Sequence, residues 1–104
     1  MNHLQIEKEI VSRLTKINPD RIILFGSYVY GKHDKNSDLD ICVITGSQAS
    51  KSEKKKNIRY LLKDLTIAKD ILTPTMDEYN FYKKEAGSVY MEIDKKGKII
   101  WPNS

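Results

Sequence analysis

The stretch RIILFGSYVYGKHDKNSDLDICVI, residues 21–44, decides the fold. Its first part, Arg21–Phe25, is short, apolar and rich in β-branched residues, which predicts a strand buried on both faces. The polar segment Gly26–Ser37 predicts a connection, with a short helical turn near Tyr28–Tyr30. Leu39–Ile44 is again apolar and predicts a second strand. Polar side chains therefore collect where these two strands are joined, and a candidate site is expected there.

Two aspartates stand at the beginning of the second strand. Side chains alternate along a strand, so Asp38 and Asp40 point to one side and Leu39 points to the other. Two carboxylates placed this way repel each other unless a cation lies between them. Mg²⁺ prefers such oxygen ligands and completes its shell with water and phosphate oxygens. Asp38 and Asp40 form a candidate metal site; the alternative is a turn charge followed by a solvated strand residue.

The turn after the first strand has the composition of a phosphate-binding loop. Gly26 has no side chain, so a polyphosphate can approach its backbone closely. The Ser27 hydroxyl and nearby backbone N–H groups can donate to phosphate oxygens, although Ser27 could instead only cap the turn. Ser37 is included in this nucleotide-binding set, where its hydroxyl either holds the loop backbone or contacts the substrate. These residues predict a nucleoside triphosphate held between the loop and a metal.

A third carboxylate would complete such a site, because it can deprotonate or orient an attacking hydroxyl and help hold a second metal ion. Asp70 is the candidate, since it lies inside the predicted strand Ile67–Leu72, where a lone aspartate is disfavoured. If that strand pairs beside Leu39–Ile44, Asp70 reaches the face that carries Asp38 and Asp40. The alternative is an edge-strand charge that prevents aggregation.

The rest of the chain supplies helices around this sheet. Apolar residues at helical spacing predict a helix from Leu4 to Ile17 and another over Lys51–Leu65. Thr75 and Glu78 have the spacing of a capping box and open a third helix, which a later glycine kinks or interrupts. With a last strand over Lys98–Trp101, the order is α-β-β-α-β-α-β. This predicts one α/β (α+β) domain over residues 1–104, a small mixed β-sheet with helices mainly on one face.

Two surface features are open to more than one interpretation. The third helix carries Tyr79, Phe81 and Tyr82, which one helix cannot bury together against a small core. Part of this aromatic surface is expected to be exposed, with one ring contacting a partner. The run Lys54–Lys56 indicates either a solvated helix start or a contact with RNA or an acidic protein surface.

Length and composition restrict the function classes. The chain has 104 residues, enough for one modest core, which excludes large multidomain enzymes, solenoids and barrels. Its net charge of +4 permits contact with nucleotides without requiring it. A single cysteine, Cys42, excludes an internal disulfide and a cysteine metal cluster. No long apolar run or signal-peptide pattern is seen, so the cytoplasm is the expected location, with no membrane contact.

The motif resembles that of the minimal nucleotidyltransferase (MNT) family, in the DNA polymerase β-like nucleotidyltransferase superfamily. The family pattern is a Gly-Ser pair, ten residues and Asp-x-Asp, followed by a later strand with a third aspartate. A second glycine and a serine before the first aspartate also match, and the resemblance covers nearly the whole chain. The matching residues are Gly26, Ser27, Gly31, Ser37, Asp38, Asp40 and Asp70.

The resemblance implies a specific role for a domain of this size. Stand-alone domains of this size in the family are typically antitoxins of a type VII-like toxin–antitoxin system, paired with a HEPN-domain toxin that cleaves RNA. The antitoxin transfers AMP from ATP to a tyrosine hydroxyl of the toxin and releases pyrophosphate. The resemblance implies that Asp38, Asp40 and Asp70 bind two Mg²⁺ ions, with Asp70 also the base for the tyrosine. Gly26 and Ser27 would bind the triphosphate.

One residue departs from the family pattern, and two other functions stay open. Many relatives carry arginine immediately before the second glycine, where this sequence has Tyr30, so the cation at this position is either absent or supplied by another residue. The first alternative function is an antitoxin that neutralises its toxin by binding alone. The second is a nucleotidyltransferase acting on RNA or a small molecule, although direct nucleic-acid binding is not expected.

Overall fold

The computed structural model describes residues 2–31 and 38–102 and has a mixed α/β fold. The helices are α1 (His3–Leu14, extended by a 3₁₀ turn over Thr15–Ile17), α2 (Lys51–Leu61), α3 (Met76–Tyr82) and α4 (Val89–Lys96). The strands are β1 (Arg21–Phe25), β2 (Leu39–Ile44), β3 (Lys69–Leu72) and β4 (Lys98–Trp101). They form a sheet in the order β3-β2-β1-β4, in which β1 is antiparallel to both neighbours and β2 is parallel to β3. The predicted fold class is confirmed.

Side-chain caps define where the helices begin. The predicted capping box opens α3: the Glu78 backbone N–H donates to Thr75 Oγ1 at 3.1 Å, and the Thr75 N–H donates to Glu78 Oε1 at 2.9 Å. Ser50 caps α2 by accepting from the Glu53 backbone N–H at 3.2 Å. An ion pair of 2.8 Å between Lys51 Nζ and Glu78 Oε2 then ties the start of α2 to α3. These contacts fix where α2 and α3 begin and join the starts of the two helices.

Three predicted boundaries differ from the observed ones. The helix expected over Lys51–Leu65 ends at Leu61, because Leu62 leaves the helical conformation at φ −102° and ψ 11°. The strand expected over Ile67–Leu72 begins only at Lys69. The single third helix is two helices, since Gly87 has φ +84° and Ser88 caps a new helix by accepting from the Met91 N–H at 3.1 Å.

Helices cover both faces of the sheet, whereas the sequence predicted helices mainly on one face. The larger core packs α1 and α2 against one face, whereas α3 and α4 form a smaller core on the other. The larger core includes Ile10, Leu14, Ile22, Leu24, Leu39, Ile41, Val43, Ile58 and Leu62. The smaller core consists of Ile23, Cys42, Ile44, Tyr79 and Ile93, with Phe25, Leu72, Met76 and Tyr90 packed against it. Capping and tyrosine burial bring α3 to this second face, which strand periodicity alone does not reveal.

The structure shows how far the aromatic and lysine side chains singled out in the sequence are exposed. Tyr79 is buried and donates to Asp94 Oδ1 at 3.1 Å, while Phe81 and Tyr82 are 62% and 45% exposed. The expectation that part of this aromatic surface is exposed is therefore confirmed. Lys54, expected at a solvated helix start, is instead only 6% exposed, because α2 turns it towards the domain. Across the described residues, the helices lack the length and apolar character needed to span a bilayer.

Candidate functional site

Acidic side chains from two neighbouring strands meet on one face of the sheet. In the parallel pair, Asp40 of β2 lies opposite Asp70 of β3, and in the antiparallel pair Phe25 of β1 lies opposite Asp40. Residues directly paired across adjacent strands point to the same face, so Asp40 stands between Phe25 and Asp70. Asp38 lies one residue before β2 and is exposed, as is Asp70. The role predicted for Asp70 required its strand to pair beside Leu39–Ile44, and the structure shows this pairing.

The Asp40 carboxylate feels the charges of the other two aspartates. The pKa of Asp40 is raised, chiefly because partial burial disfavours its charged form, and further because of the negative charges of Asp70 and Asp38. A carboxyl pKa raised by folding means that ionised Asp40 destabilises the folded state. A cation bound among these side chains would remove that repulsion, so the arrangement favours cation binding.

The turn after β1 reaches the acidic cluster directly. Gly26 has φ +78°, and its carbonyl accepts backbone hydrogen bonds from Val29 and Tyr30, both at 3.1 Å. A Cβ placed on Gly26 would overlap a carboxylate oxygen of Asp40 and lie 3.0 Å from Asp40 Cγ. Glycine alone suits both this backbone conformation and this close approach. The predicted triphosphate-binding turn and the predicted metal ligand are thus in contact, with Ser27 half-buried at the next position.

The close approach of Gly26 to Asp40 is the part of the site that sequence reasoning missed. The glycine was expected to admit a polyphosphate, whereas the structure shows that it also admits the Asp40 carboxylate. The pairing of Phe25 with Asp40 causes this, because it brings the residue after β1 alongside the beginning of β2. The signal in the sequence was only the glycine itself, since the register between the strands was unknown.

Tyr30 occupies the position at which many members of the resembled family carry arginine. Its hydroxyl is buried. The Tyr30 pKa is raised, mainly by burial and also by the charges of Glu92 and Asp40, against the opposing effect of the Gly26 backbone. The ammonium group of Lys96 lies 5.9 Å from the centroid of its ring. The Tyr30 ring thus occupies the position of the family's arginine, and the ammonium group of Lys96, from α4, lies over that ring.

One of the predicted nucleotide-binding residues lies outside the described part of the chain. This is Ser37, in the segment 32–37. Gly31, just before that segment, is exposed and has φ +79°. The helical turn expected near Tyr28–Tyr30 is present, because two backbone N–H groups there bond to the carbonyl of Gly26.

The donor set suits a divalent cation by its chemistry. Asp40 and Asp70 offer hard oxygen ligands on one face, and Asp38 stands one residue before β2. Cys42, two residues after Asp40 in β2, is buried, and burial raises its pKa to about 12. Within residues 2–31 and 38–102, however, no three Asp, Glu, His or Cys side chains stand close enough together to form a ready-made metal centre. A divalent ion bound here would therefore need further oxygens, such as those of water or a phosphate.

Comparison with known proteins identifies the family of the chain. Residues 5–100 match the nucleotidyltransferase domain family. The chain belongs to this family. A nucleotidyltransferase relative from Methanocaldococcus jannaschii, MJ0141, is 37% identical over 98 residues, which cover 82% of this chain and 99% of the relative. That relative is named as a candidate protein adenylyltransferase. The resemblance drawn from the Gly-Ser and Asp-x-Asp motif is confirmed, and the chain is a nucleotidyltransferase.

Solved structures share the nucleotidyltransferase fold. A toxin–antitoxin crystal structure with AMP-PNP superposes with a TM-score of 0.68 at 24% identity, covering 94% of this chain and 74% of that chain. A second structure, of the MntA–HepT toxin–antitoxin pair, has a TM-score of 0.62 at 21% identity and covers 97% and 74%. A doubly substituted form of that pair has a TM-score of 0.65 at 21% identity and covers 94% and 74%. At these identities the likeness concerns the fold.

Proposed function

We propose that this nucleotidyltransferase is an antitoxin that transfers AMP from ATP to a tyrosine hydroxyl of a HEPN-domain RNase toxin and releases pyrophosphate. The observation that carries the proposal is the contact between the Gly26 turn and Asp40, which stands beside Asp70 in the sheet. This arrangement puts groups suited to phosphate next to groups suited to a divalent cation. Nucleotidyl transfer needs both at one point.

The proposed roles follow from the chemistry of each group. The Gly26 turn and the Ser27 hydroxyl hold the triphosphate by donating to its oxygens, with Ser37 assigned to the same nucleotide-binding set. Asp38 and Asp40 hold Mg²⁺, which when bound neutralises charge on the triphosphate. This would also relieve the repulsion from Asp70 and Asp38, which adds to the effect of partial burial in raising the pKa of Asp40.

Asp70 is proposed as the third ligand and as the base for the incoming tyrosine. It is exposed at the sheet edge, so a tyrosine of a docked protein can reach it. The phenol proton passes to the Asp70 carboxylate as the phenolic oxygen bonds to the α-phosphorus. The bond from the α-phosphorus to the oxygen bridging to the β-phosphate breaks, and pyrophosphate leaves. Transfer rests on positioning and charge neutralisation.

The relatives support the substrate and partner classes. MJ0141 is named for protein adenylyl transfer, and three similar folds come from toxin–antitoxin structures, one of them with AMP-PNP. The doubly substituted MntA–HepT structure carries two Asp-to-Glu changes two positions apart, the spacing of Asp38 and Asp40 here. These likenesses favour ATP over other nucleotides and a protein acceptor over RNA.

The test first searches the neighbouring gene for a small helical protein with an RNase motif. The intact mass of that candidate toxin is then measured after incubation with this protein, ATP and Mg²⁺. We expect the toxin to gain one or more AMP units and peptide mapping to place them on tyrosine. Asp38→Asn and Asp40→Asn should abolish the mass gain while the domain stays folded. Asp64→Asn serves as the matched control, because this exposed carboxylate pairs with Arg13 on another part of the surface.

Each other result would point to a different function. Tight binding of the toxin without a mass change would favour neutralisation by occlusion. Labelled AMP found on RNA or on a small molecule, with none on protein, would favour the remaining alternative. Wild-type transfer by both Asp→Asn variants would remove the metal-site assignment.

A further inference from the structure

The end of α4 lies beside the turn that follows β1. β4 runs antiparallel to β1 with Lys98 opposite Leu24, so the chain enters β4 next to the last residues of β1. The contact is close at Gly97, where an added Cβ would lie 2.7 Å from Ile23 Cγ2 and 3.3 Å from the Leu24 carbonyl oxygen. The preceding residue, Lys96, is the last residue of α4. This topology carries Lys96 to the strand end at which the Gly26 turn begins.

Tyr30 connects Lys96 with that turn. The backbone N–H of Tyr30 donates to the Gly26 carbonyl at 3.1 Å, so its ring belongs to the turn. The Lys96 ammonium lies over this ring, 5.9 Å from its centroid, within the range of a cation–π contact. Such a contact holds the ammonium near the turn while leaving its N–H donors available, since Lys96 is exposed.

The charges around the turn leave Lys96 available to an anion. Among the ion pairs of the described residues, Lys98 Nζ is held by Glu7 at 2.9 Å and Lys83 Nζ lies 4.0 Å from Asp94. Lys96 has no carboxylate within ion-pair distance in that part of the chain. The nearby acidic cluster repels a polyphosphate, so a cation here would aid its binding.

We propose that Lys96 contacts the triphosphate at the Gly26–Ser27 turn and supplies the cation that position 30 lacks. This rests on the proposed nucleotide site. Lysine binds phosphate as a compact point charge, and its flexible stem allows it to move from the Tyr30 ring onto a phosphate oxygen. Lys96 is therefore a substrate-binding residue contributed by the end of α4 rather than by the loop.

The test measures binding of ATP to the full chain in EDTA at constant ionic strength, by titration calorimetry. EDTA removes divalent metal, so the measured affinity contains no contribution from contacts between ATP and the aspartates through a metal ion. The contribution of Lys96 is then easier to detect. Lys96→Ala should weaken ATP binding about tenfold or more, because a charged hydrogen bond is lost. Lys95→Ala is the matched control: it removes the same charge from the same helix end, and should change affinity much less. Lys96→Arg should retain most of the affinity.

Two further variants separate this inference from the proposed function. Tyr30→Arg in the Lys96→Ala background should recover affinity for ATP. The arginine at position 30 would place a guanidinium on the turn, next to the place that the Lys96 ammonium occupies in the wild-type protein. Asp40→Asn should not weaken ATP binding in EDTA, since it removes a negative charge, although it abolishes transfer with Mg²⁺. Equal affinities of Lys96→Ala and Lys95→Ala would overturn the role of Lys96 and leave the nucleotide site intact. If the wild-type protein binds ATP neither in EDTA nor in Mg²⁺, both proposals are overturned.

Discussion

Replacing Gly26 with alanine tests whether the contact between the turn and Asp40 serves catalysis. At φ +78° a residue with a Cβ costs about 1–2 kcal/mol relative to glycine. The new Cβ would overlap the Asp40 carboxylate, and turning that short side chain out of its present position adds about 1 kcal/mol. The free energy of unfolding should fall by about 2–3 kcal/mol. In a domain of this length that lowers Tm by roughly 10 °C in calorimetry.

The effect on transfer should be much larger than the effect on stability. Misplacing a catalytic group by about 1 Å can cost about a hundredfold in rate. Pyrophosphate release with ATP, Mg²⁺ and the toxin should therefore fall at least this much in Gly26→Ala, measured at a temperature where the variant is folded. Gly87→Ala is the control, because Gly87 has φ +84° but an added Cβ would meet nothing within 4 Å. It should lose stability by about 1–2 kcal/mol and keep full activity.

The reasoning is refuted if Gly26→Ala transfers AMP as fast as Gly87→Ala. The Asp40 carboxylate would then tolerate displacement, and its contact with the turn would be a packing feature. Equal stability of Gly26→Ala and the wild-type protein would contradict the backbone argument separately. The two measurements therefore test the strain and the catalytic contact independently.

Three further predictions concern charge, capping and the thiol. Asp40→Asn should raise Tm of the metal-free protein at neutral pH by roughly 2–4 °C, because it removes a charge that partial burial disfavours and that Asp70 and Asp38 repel. Folding raises the Asp40 pKa, so ionisation above that pKa destabilises the wild-type protein, and the difference in Tm should vanish on acidification below it. A Tm of Asp40→Asn below that of the wild-type protein in EDTA would contradict this prediction. Thr75→Ala should lower the unfolding free energy by about 1 kcal/mol in urea titrations, through loss of the bond from the Glu78 N–H, and an unchanged midpoint would count against the cap. Cys42 is buried, and burial raises its pKa to about 12, so it should not react with a chromogenic disulfide reagent at pH 8 until urea unfolds the protein. Rapid labelling of the folded protein would contradict the burial of this thiol.

The strands near the motif could be predicted from the sequence because their signals are local. β1, β2 and β4 have the predicted bounds, since each is a short apolar run limited by glycine, proline or polar residues. The capping box of α3 was equally legible, because it depends on two residues three positions apart. The sequence left open whether α3 and α4 form one kinked helix or two, because a glycine at positive φ can bend a helix or end it.

The remaining features depend on contacts between distant segments. Asp70 joins the acidic cluster only because β3 pairs with β2, and strand order is not written in any local pattern. The burial of Lys54 and the packing of α3 on the second face likewise depend on tertiary packing. The roles of the site residues, the HEPN partner, Mg²⁺ and the cytoplasmic location stay predictions.

The position of β3 has a consequence for how the protein can be regulated. β3 has four residues, lies at the sheet edge and is paired with β2 on one side only, yet it carries Asp70. Edge segments of this kind can detach at a lower free energy than global unfolding. Detachment would remove one acid from the cluster and leave the other two in place. Any protein or nucleotide that binds only the assembled cluster must therefore protect β3 amides from hydrogen exchange. An effector that binds the detached form must weaken that ligand, and the ligand must weaken the effector by the same coupling free energy.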